Sequence, residues 1–199
     1  MTGCDPETLT FYESNAASYI SKRSEEVSRE LNGFLERLTP GASILELGCG
    51  SGIDAAHMIA QGFVVDATDG VPAMAAQAET RLGRPVRVMS FDELAAIEAY
   101  DAIVATASLL HVPRAGLSKI LARVHRALRP GGWHVASYKA GGTEGRDVHG
   151  RYYNYLSPDD ARHHYDAAGI WADFEIEESY EVGQFGPSGP WIKVTARKG

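Results

Sequence analysis

Ala42-Ser43-Ile44-Leu45-Glu46-Leu47-Gly48-Cys49-Gly50-Ser51-Gly52 runs a short apolar strand directly into three alternating glycines. Such glycines permit backbone torsions denied to other residues and let a ligand approach the main chain. Ile53 to Gln61 then resumes with helical spacing until Gly62. A strand, a glycine turn and a helix start in this order make a nucleotide-type loop, because the helix N-terminus presents unpaired N–H groups. The dinucleotide fingerprint G-x-G-x-x-G would need glycine at position 53, where the chain has Ile53, so a nicotinamide-dependent oxidoreductase is disfavoured.

Beyond this stretch, strand and helix alternate. Phe63 to Thr68 reads as a second strand, and Pro72 opens a helix reaching Leu82. Pro85 to Met89 and Tyr100 to Ala105 read as the third and fourth strands, followed by a helix over 115–128 ended by Arg129-Pro130-Gly131-Gly132. A fifth strand covers Trp133 to Lys139, then come a loop over 141–156, a helix near 157–168, and strands over 171–180 and 191–196. Repeated alternation predicts a doubly wound, Rossmann-like sheet of about seven strands in three α/β/α layers. It is mostly parallel, with one antiparallel strand near the C-terminus, expected at the end of the sheet. Before the first strand, residues 1–40 form a helical cap, with helices over 6–21 and 24–38; Leu31, Phe34, Leu35 and Leu38 share one face of the second. The whole of 1–199 is expected to be a single domain.

Composition narrows the function. Apolar residues make up 44% of the 199 and charged residues 23%, as in an ordinary globular protein. The net charge of −7 argues against a nucleic-acid partner, which needs clustered Lys and Arg. No apolar run approaches the roughly 20 residues of a membrane span. No basic-then-apolar leader is visible either, so a cytoplasmic protein is expected. Two cysteines, Cys4 and Cys49, are too few for a disulfide framework or a Cys-based metal site. No metal is expected, since His163 and His164 diverge as helix neighbours.

Ligand-binding residues follow from position. An acid at the tip of the second strand can accept from both hydroxyls of a ribose. Asp69, followed by Gly70 and Pro72, stands at that tip, whereas Asp66 lies inside the strand and needs a partner of its own. His111, just past the fourth strand, has a pKa suited to a general base; the other reading is that it packs over the cofactor. The loop over 141–156 carries Arg146, Arg151, Tyr152, Tyr153 and Tyr155, which suit a small acceptor, anionic or aromatic, or form a folded flap.

In order, Glu46-Leu47-Gly48-Cys49-Gly50-Ser51-Gly52, Asp69-Gly70-Val71-Pro72-Ala73-Met74, the Asp101 to Val112 segment and Leu128-Arg129-Pro130-Gly131-Gly132 resemble the motifs of class I S-adenosylmethionine-dependent methyltransferases. The likeness covers about half the chain and is nearest to the methyltransferase type 11/12, tellurite-resistance-like group. It implies S-adenosylmethionine as cofactor, S-adenosylhomocysteine as product, and methyl transfer to a small-molecule acceptor. It further implies cofactor contacts from Glu46, Gly48, Cys49, Gly50, Gly52, Asp69, Gly70, Met74, Ser90, Phe91, Ala105, Ser108 and Tyr19. Tyr12, with Arg23, belongs to a segment resembling the family's cofactor-capping helix, and Tyr12 joins the loop residues on the substrate side. Two departures stand out. Val71 replaces a usual serine, and Ser90-Phe91-Asp92 stands where an adenine-binding acid is usual, leaving Asp92 as acceptor or helix cap. No N/D-P-P-Y/F/W follows the fourth strand, which disfavours adenine or glutamine nitrogen as acceptor. A cofactor-binding regulator or inactive homologue is the other reading, as a monomer or homodimer in either case.

Overall fold

The computed structural model describes residues 3–22, 25–31, 33–181 and 189–199. The first five strands of the central sheet overlap the expected ones: β1 Ser43–Leu47, β2 Val64–Asp69, β3 Arg87–Val88, shorter than expected, β4 Tyr100–Ala105 and β5 Leu128–Lys139, which starts earlier. After a two-stranded hairpin, β6 Gly145–Arg146 with β7 Tyr152–Tyr153, the sheet is completed by β8 Trp171–Glu181 and β9 Gly189–Lys198. Its order is β3-β2-β1-β4-β5-β9-β8, with every pairing parallel except those of β9. The helices are α1 Pro6–Lys22, α2 Ile53–Ala60, α3 Pro72–Leu82, α4 Arg114–Ala127 and α5 Pro158–Asp166.

The alternation of side chains along the strands builds two cores. Leu45, Leu47, Ile103 and Ala105 face one way, onto Leu117, Ile120, Leu121 and Val124 of α4 and Tyr165 of α5. Ile44, Ala102, Val104 and Val135 face the other way, onto Met58 of α2 and onto Leu31 and Phe34. A strand buried on both faces has no polar side to show, which is why 44–47 reads as a continuous apolar run apart from Glu46.

Three expectations need correction. The helix over 24–38 is replaced, among the described residues, by two 3-10 turns, Arg29–Leu31 and Leu35–Arg37. Gly33 sits at φ +71°, a left-handed torsion that no right-handed helix can contain, yet Leu31 and Phe34 still bury their apolar face. The fifth strand begins at Leu128 rather than Trp133, because Leu128 already pairs with Tyr100 and a register shift carries the Pro-Gly-Gly segment. Finally, the antiparallel strand is not at the sheet edge. β9 lies between β5 and β8, pairing on both sides.

Candidate active site

The carboxyl ends of β1, β2, β4 and β5 open into a cavity of about 410 Å³, roofed by α1 and the β6–β7 hairpin. One end is the glycine loop. Thr68 in β2 receives the N–H groups of Gly48 and Cys49 on its carbonyl, each at 2.9 Å. Asp69, the last residue of β2, takes the N–H of Gly50 on Oδ2 and that of Val71 on Oδ1, each at 2.9 Å. From beyond β4, Ser108 donates its hydroxyl to the Leu47 carbonyl at 2.6 Å. A Cβ on Gly48 would lie 2.6 Å from the Ser108 Cβ, and its φ is +78°, so only glycine serves there.

Asp69 is 8% exposed, and burial raises its pKa to about 6 against the two backbone donors. Each carboxylate oxygen has accepted one bond, and one acceptor position remains on each. Gly48, Gly50, Gly70, Met74, Ser90, Phe91, Ser108 and Tyr19 line the cavity with Asp69. Glu46, Cys49, Gly52 and Ala105 are not on its wall; Glu46 is buried in β1, and burial pushes the Cys49 thiol up. The Ser90 hydroxyl donates to Glu93 in a capping box, so Glu93 is the cap acid of that turn. Asp92 is off the wall and accepts from the Gly3 backbone. Asp66 is taken up by Arg87 and Tyr100, each at 2.6 Å.

The other end is built from distant segments. His111 is buried, with Nδ1 2.6 Å from the Tyr152 carbonyl and Nε2 3.1 Å from the Tyr12 hydroxyl. A carbonyl only accepts, so Nδ1 carries the proton and Nε2 receives the Tyr12 O–H. Burial, with Arg151 and Lys139 nearby, lowers the His111 pKa to about 4, and the ring is neutral at pH 7. Arg151, 2% exposed in its side chain, donates to Asp147 at 2.7 and 2.9 Å and to the Tyr12 hydroxyl at 3.3 Å. Its guanidinium also lies over the rings of Phe11, Tyr12 and Tyr153.

Tyr12, Arg151, Tyr153 and His111 line the cavity. Arg146, Tyr152 and Tyr155 do not: Arg146 pairs with Asp5 and Glu7, and Tyr152 donates its hydroxyl to Glu144. Arg114 donates to the carbonyls of Asn154 and Tyr155, each at 2.7 Å, and so anchors the segment after the hairpin. Arg23 lies outside the described residues. Lys139, Ser137 and Trp191 also line the cavity, and sequence reasoning passed over them as strand ends. Their place at the carboxyl edge of β5, and at the β9 position paired with it, is the signal that finds them.

Among the described residues no three His, Cys, Asp or Glu gather as metal ligands, and no helix is long and apolar enough to cross a membrane.

The chain was compared with known proteins. The family model described as a methyltransferase domain matches residues 19–174, more than three quarters of the sequence. The chain belongs to this methyltransferase family. Protein-L-isoaspartate O-methyltransferase of Gloeobacter violaceus is 40% identical to this methyltransferase chain over 85 residues, 39% of the chain. That match spans 42% of the relative's own length. Among solved structures, 1,6-didemethyltoxoflavin-N1-methyltransferase of Burkholderia thailandensis, with bound 1,6-didemethyltoxoflavin and S-adenosylhomocysteine, superposes with a TM-score of 0.73. It is 23% identical, covering 96% of this chain and 84% of that one. A SAM-dependent methyltransferase of Methanosarcina mazei gives a TM-score of 0.71 at 18% identity, covering 87% and 98%. At these identities the likeness establishes the shared Rossmann-like methyltransferase fold.

Proposed function

We propose that this methyltransferase takes S-adenosylmethionine at the glycine-loop end of the cavity and methylates a small-molecule acceptor at the other end. The observation that carries the reading is one continuous cavity, lined at one end by Gly48, Gly50 and Asp69 and at the other by Tyr12 and His111. Its volume falls in the range of small-molecule sites. Asp69 keeps an acceptor position on each oxygen for a ribose diol, and Gly48 leaves bare backbone where a side chain would collide.

When bound, S-adenosylmethionine supplies an electrophilic methyl group on a cationic sulfur. The chain's part is alignment, exclusion of water and custody of a proton. Tyr12 and His111 form the proton path; burial makes His111 a weaker base than the near-neutral histidine expected from sequence, but keeps its Nε2 unprotonated and ready to accept. An acceptor O–H or N–H gives its proton to the Tyr12 oxygen as the Tyr12 proton passes to His111 Nε2, held in place by the Nδ1–H bond to Tyr152. With that proton His111 would carry one positive charge, the same charge that bound S-adenosylmethionine would bring to the site. An in-line transfer of this kind needs no metal ligand from the chain. The chain works as one domain, in the cytoplasm, as a monomer or homodimer.

Calorimetry with S-adenosylmethionine, S-adenosylhomocysteine and NAD, together with labelled methyl transfer into a metabolite extract, tests the reading. Binding of the first two and labelling of a low-molecular-weight fraction are expected. Tyr12→Phe should lower the labelling rate by about 100-fold while S-adenosylhomocysteine affinity holds. NAD binding without a response to the sulfonium would overturn the cofactor assignment, and binding without any transfer would favour a regulator.

A further inference from the structure

The sheet order sets the distance between the two ends of the cavity. Asp69 ends β2 and Lys139 ends β5, three strands away along β2-β1-β4-β5. At about 4.8 Å per strand this separates them by roughly 14 Å. Lys139 therefore belongs to the acceptor end, not to the glycine loop.

Its surroundings are unusual for an ammonium group. Lys139 is half-buried on the cavity wall, with Nζ 4.2 Å from the centre of the Tyr153 ring and 5.9 Å from that of Trp191. No carboxylate of the described residues forms an ion pair with it, although Lys193 and Lys198 in the neighbouring strand β9 both have one. Burial, and then repulsion from Arg151, lowers its pKa. The two arginines that the sequence offers to an anion are engaged elsewhere, Arg151 with Asp147 and Arg146 with Asp5 and Glu7. The charged groups that act on Lys139 are Arg151, which repels it, and Asp147, which is already paired with Arg151, beside a neutral His111. Glu26, Arg29 and Glu30 also line the cavity, and none of them forms an ion pair with Lys139 among the described residues. Aromatic faces compensate a desolvated ammonium in part, and a charge-assisted bond to a carboxylate or phosphate does so more strongly.

We propose that the methyl acceptor carries an anionic group, a carboxylate or a phosphate, which pairs with Lys139 between the Tyr153 and Trp191 rings. The inference rests on the methyltransferase reading above, since it assigns the far end of the cavity to the acceptor. The competing use of Lys139 is the carboxylate of the cofactor itself. Arg29 lines the cavity as well, next to Ser28, whose N–H bonds Asp54 in the first turn of α2 at 2.8 Å, so a second cation stands available to that carboxylate.

The test measures binding of benzoate, phenyl phosphate and benzamide to the full chain by calorimetry, with and without saturating S-adenosylhomocysteine. Wild type, Lys139→Met and Lys139→Arg are compared. The two anions should bind wild type and Lys139→Arg at least about tenfold more tightly than benzamide, which has the same ring and no charge. Lys139→Met should lose that preference and keep its S-adenosylhomocysteine affinity within about twofold. Equal binding of anions and amide by wild type, no anion binding at millimolar concentration, or a preference that survives in Lys139→Met overturns the proposal. So does a tenfold or larger loss of S-adenosylhomocysteine affinity in Lys139→Met, which would hand the ammonium to the cofactor. Failure of wild type to bind S-adenosylhomocysteine strikes the cofactor reading instead, while the arms without it still read the charge preference.

Discussion

The two ends of the cavity are built by opposite means. At the glycine-loop end the bonds are mostly backbone-made and join neighbours in the sheet: Thr68 to Gly48 and Cys49, Asp69 to Gly50 and Val71. At the acceptor end side chains join segments far apart in sequence. Tyr12 meets His111 across 99 residues, Arg146 meets Asp5 across 141, and the Tyr152 N–H meets Thr8 across 144. One end follows from the fold itself, and the other is a tertiary assembly laid over it. The second arrangement concentrates its stability in few groups.

That contrast can be broken most directly at Asp147. Asp147→Asn leaves the Arg151 guanidinium, 2% exposed, without its carboxylate. A loss of about 3–5 kcal/mol is expected in urea unfolding, because a buried charge then stands uncompensated. A cost below 1 kcal/mol would mean that the acceptor end is no more concentrated than the loop end.

Acid should act on the two ends with opposite sign. Burial holds His111 near 4, below its unfolded value, so its stabilising contribution is full above about pH 6.5 and is lost as pH falls through 4. The magnitude is on the order of 3 kcal/mol. Asp69 sits near 6, above its unfolded value, so its contribution is full below about pH 3.8 and is lost as pH rises through 6. A pH series of urea midpoints on wild type and His111→Gln should show the acid-side loss shrinking in the variant.

Glycine substitutions separate torsional strain from steric contact at the loop end. Gly48→Ala combines a left-handed torsion with a Cβ 2.6 Å from Ser108, whereas Gly33→Ala meets nothing within 4 Å. Thermal unfolding should cost about 2–3 kcal/mol for Gly48→Ala and about 1 kcal/mol for Gly33→Ala. Equal losses would show that the contact with Ser108 relaxes freely.

The smallest effect is on binding alone. Asp69→Ala should weaken S-adenosylhomocysteine binding by about 1–3 kcal/mol in calorimetry, from the lost charged acceptor. Wild-type affinity should also fall as pH drops below 6, and the variant should lack that dependence. An unchanged affinity would remove Asp69 from the cofactor site.

The same contrast explains what was legible in the sequence. The run from Ile44 to Leu47, the three glycines and the strand-tip position of Asp69 report their structure locally, since period, turn chemistry and strand ends are properties of neighbouring residues. The seven strands and their helices follow from that. The helix expected over 24–38 failed at one residue, Gly33, whose torsion overrode an apolar period that was otherwise right about burial. In the loop over 141–156, sequence distinguishes tyrosines and arginines from their neighbours but not which of them turn inward. Arg151 and Tyr153 reach the cavity, whereas Arg146, Tyr152 and Tyr155 do not, and the choice was made by Asp5, Thr8 and Arg114 in other elements. Lys139 was missed because a lysine at a strand end reads as solvated.

The interior position of β9 bears on how the chain acquires this sheet. β8 precedes β9 in the chain, yet β9 is its partner in the sheet and β9 alone joins it to β5. Until β9 arrives, β8 has nothing to dock on and β5 presents a bare, apolar edge to other chains. The last two strands reach the sheet either as a preformed hairpin or with β9 docking on β5 first and β8 following. Lys139 and Trp191, paired across β5 and β9, come into register only when β9 docks on β5. The cavity wall that carries Lys139 and Trp191 thus depends on pairing with the last strand of the chain, whereas the glycine loop needs only β1 and β2, which adjoin in sequence.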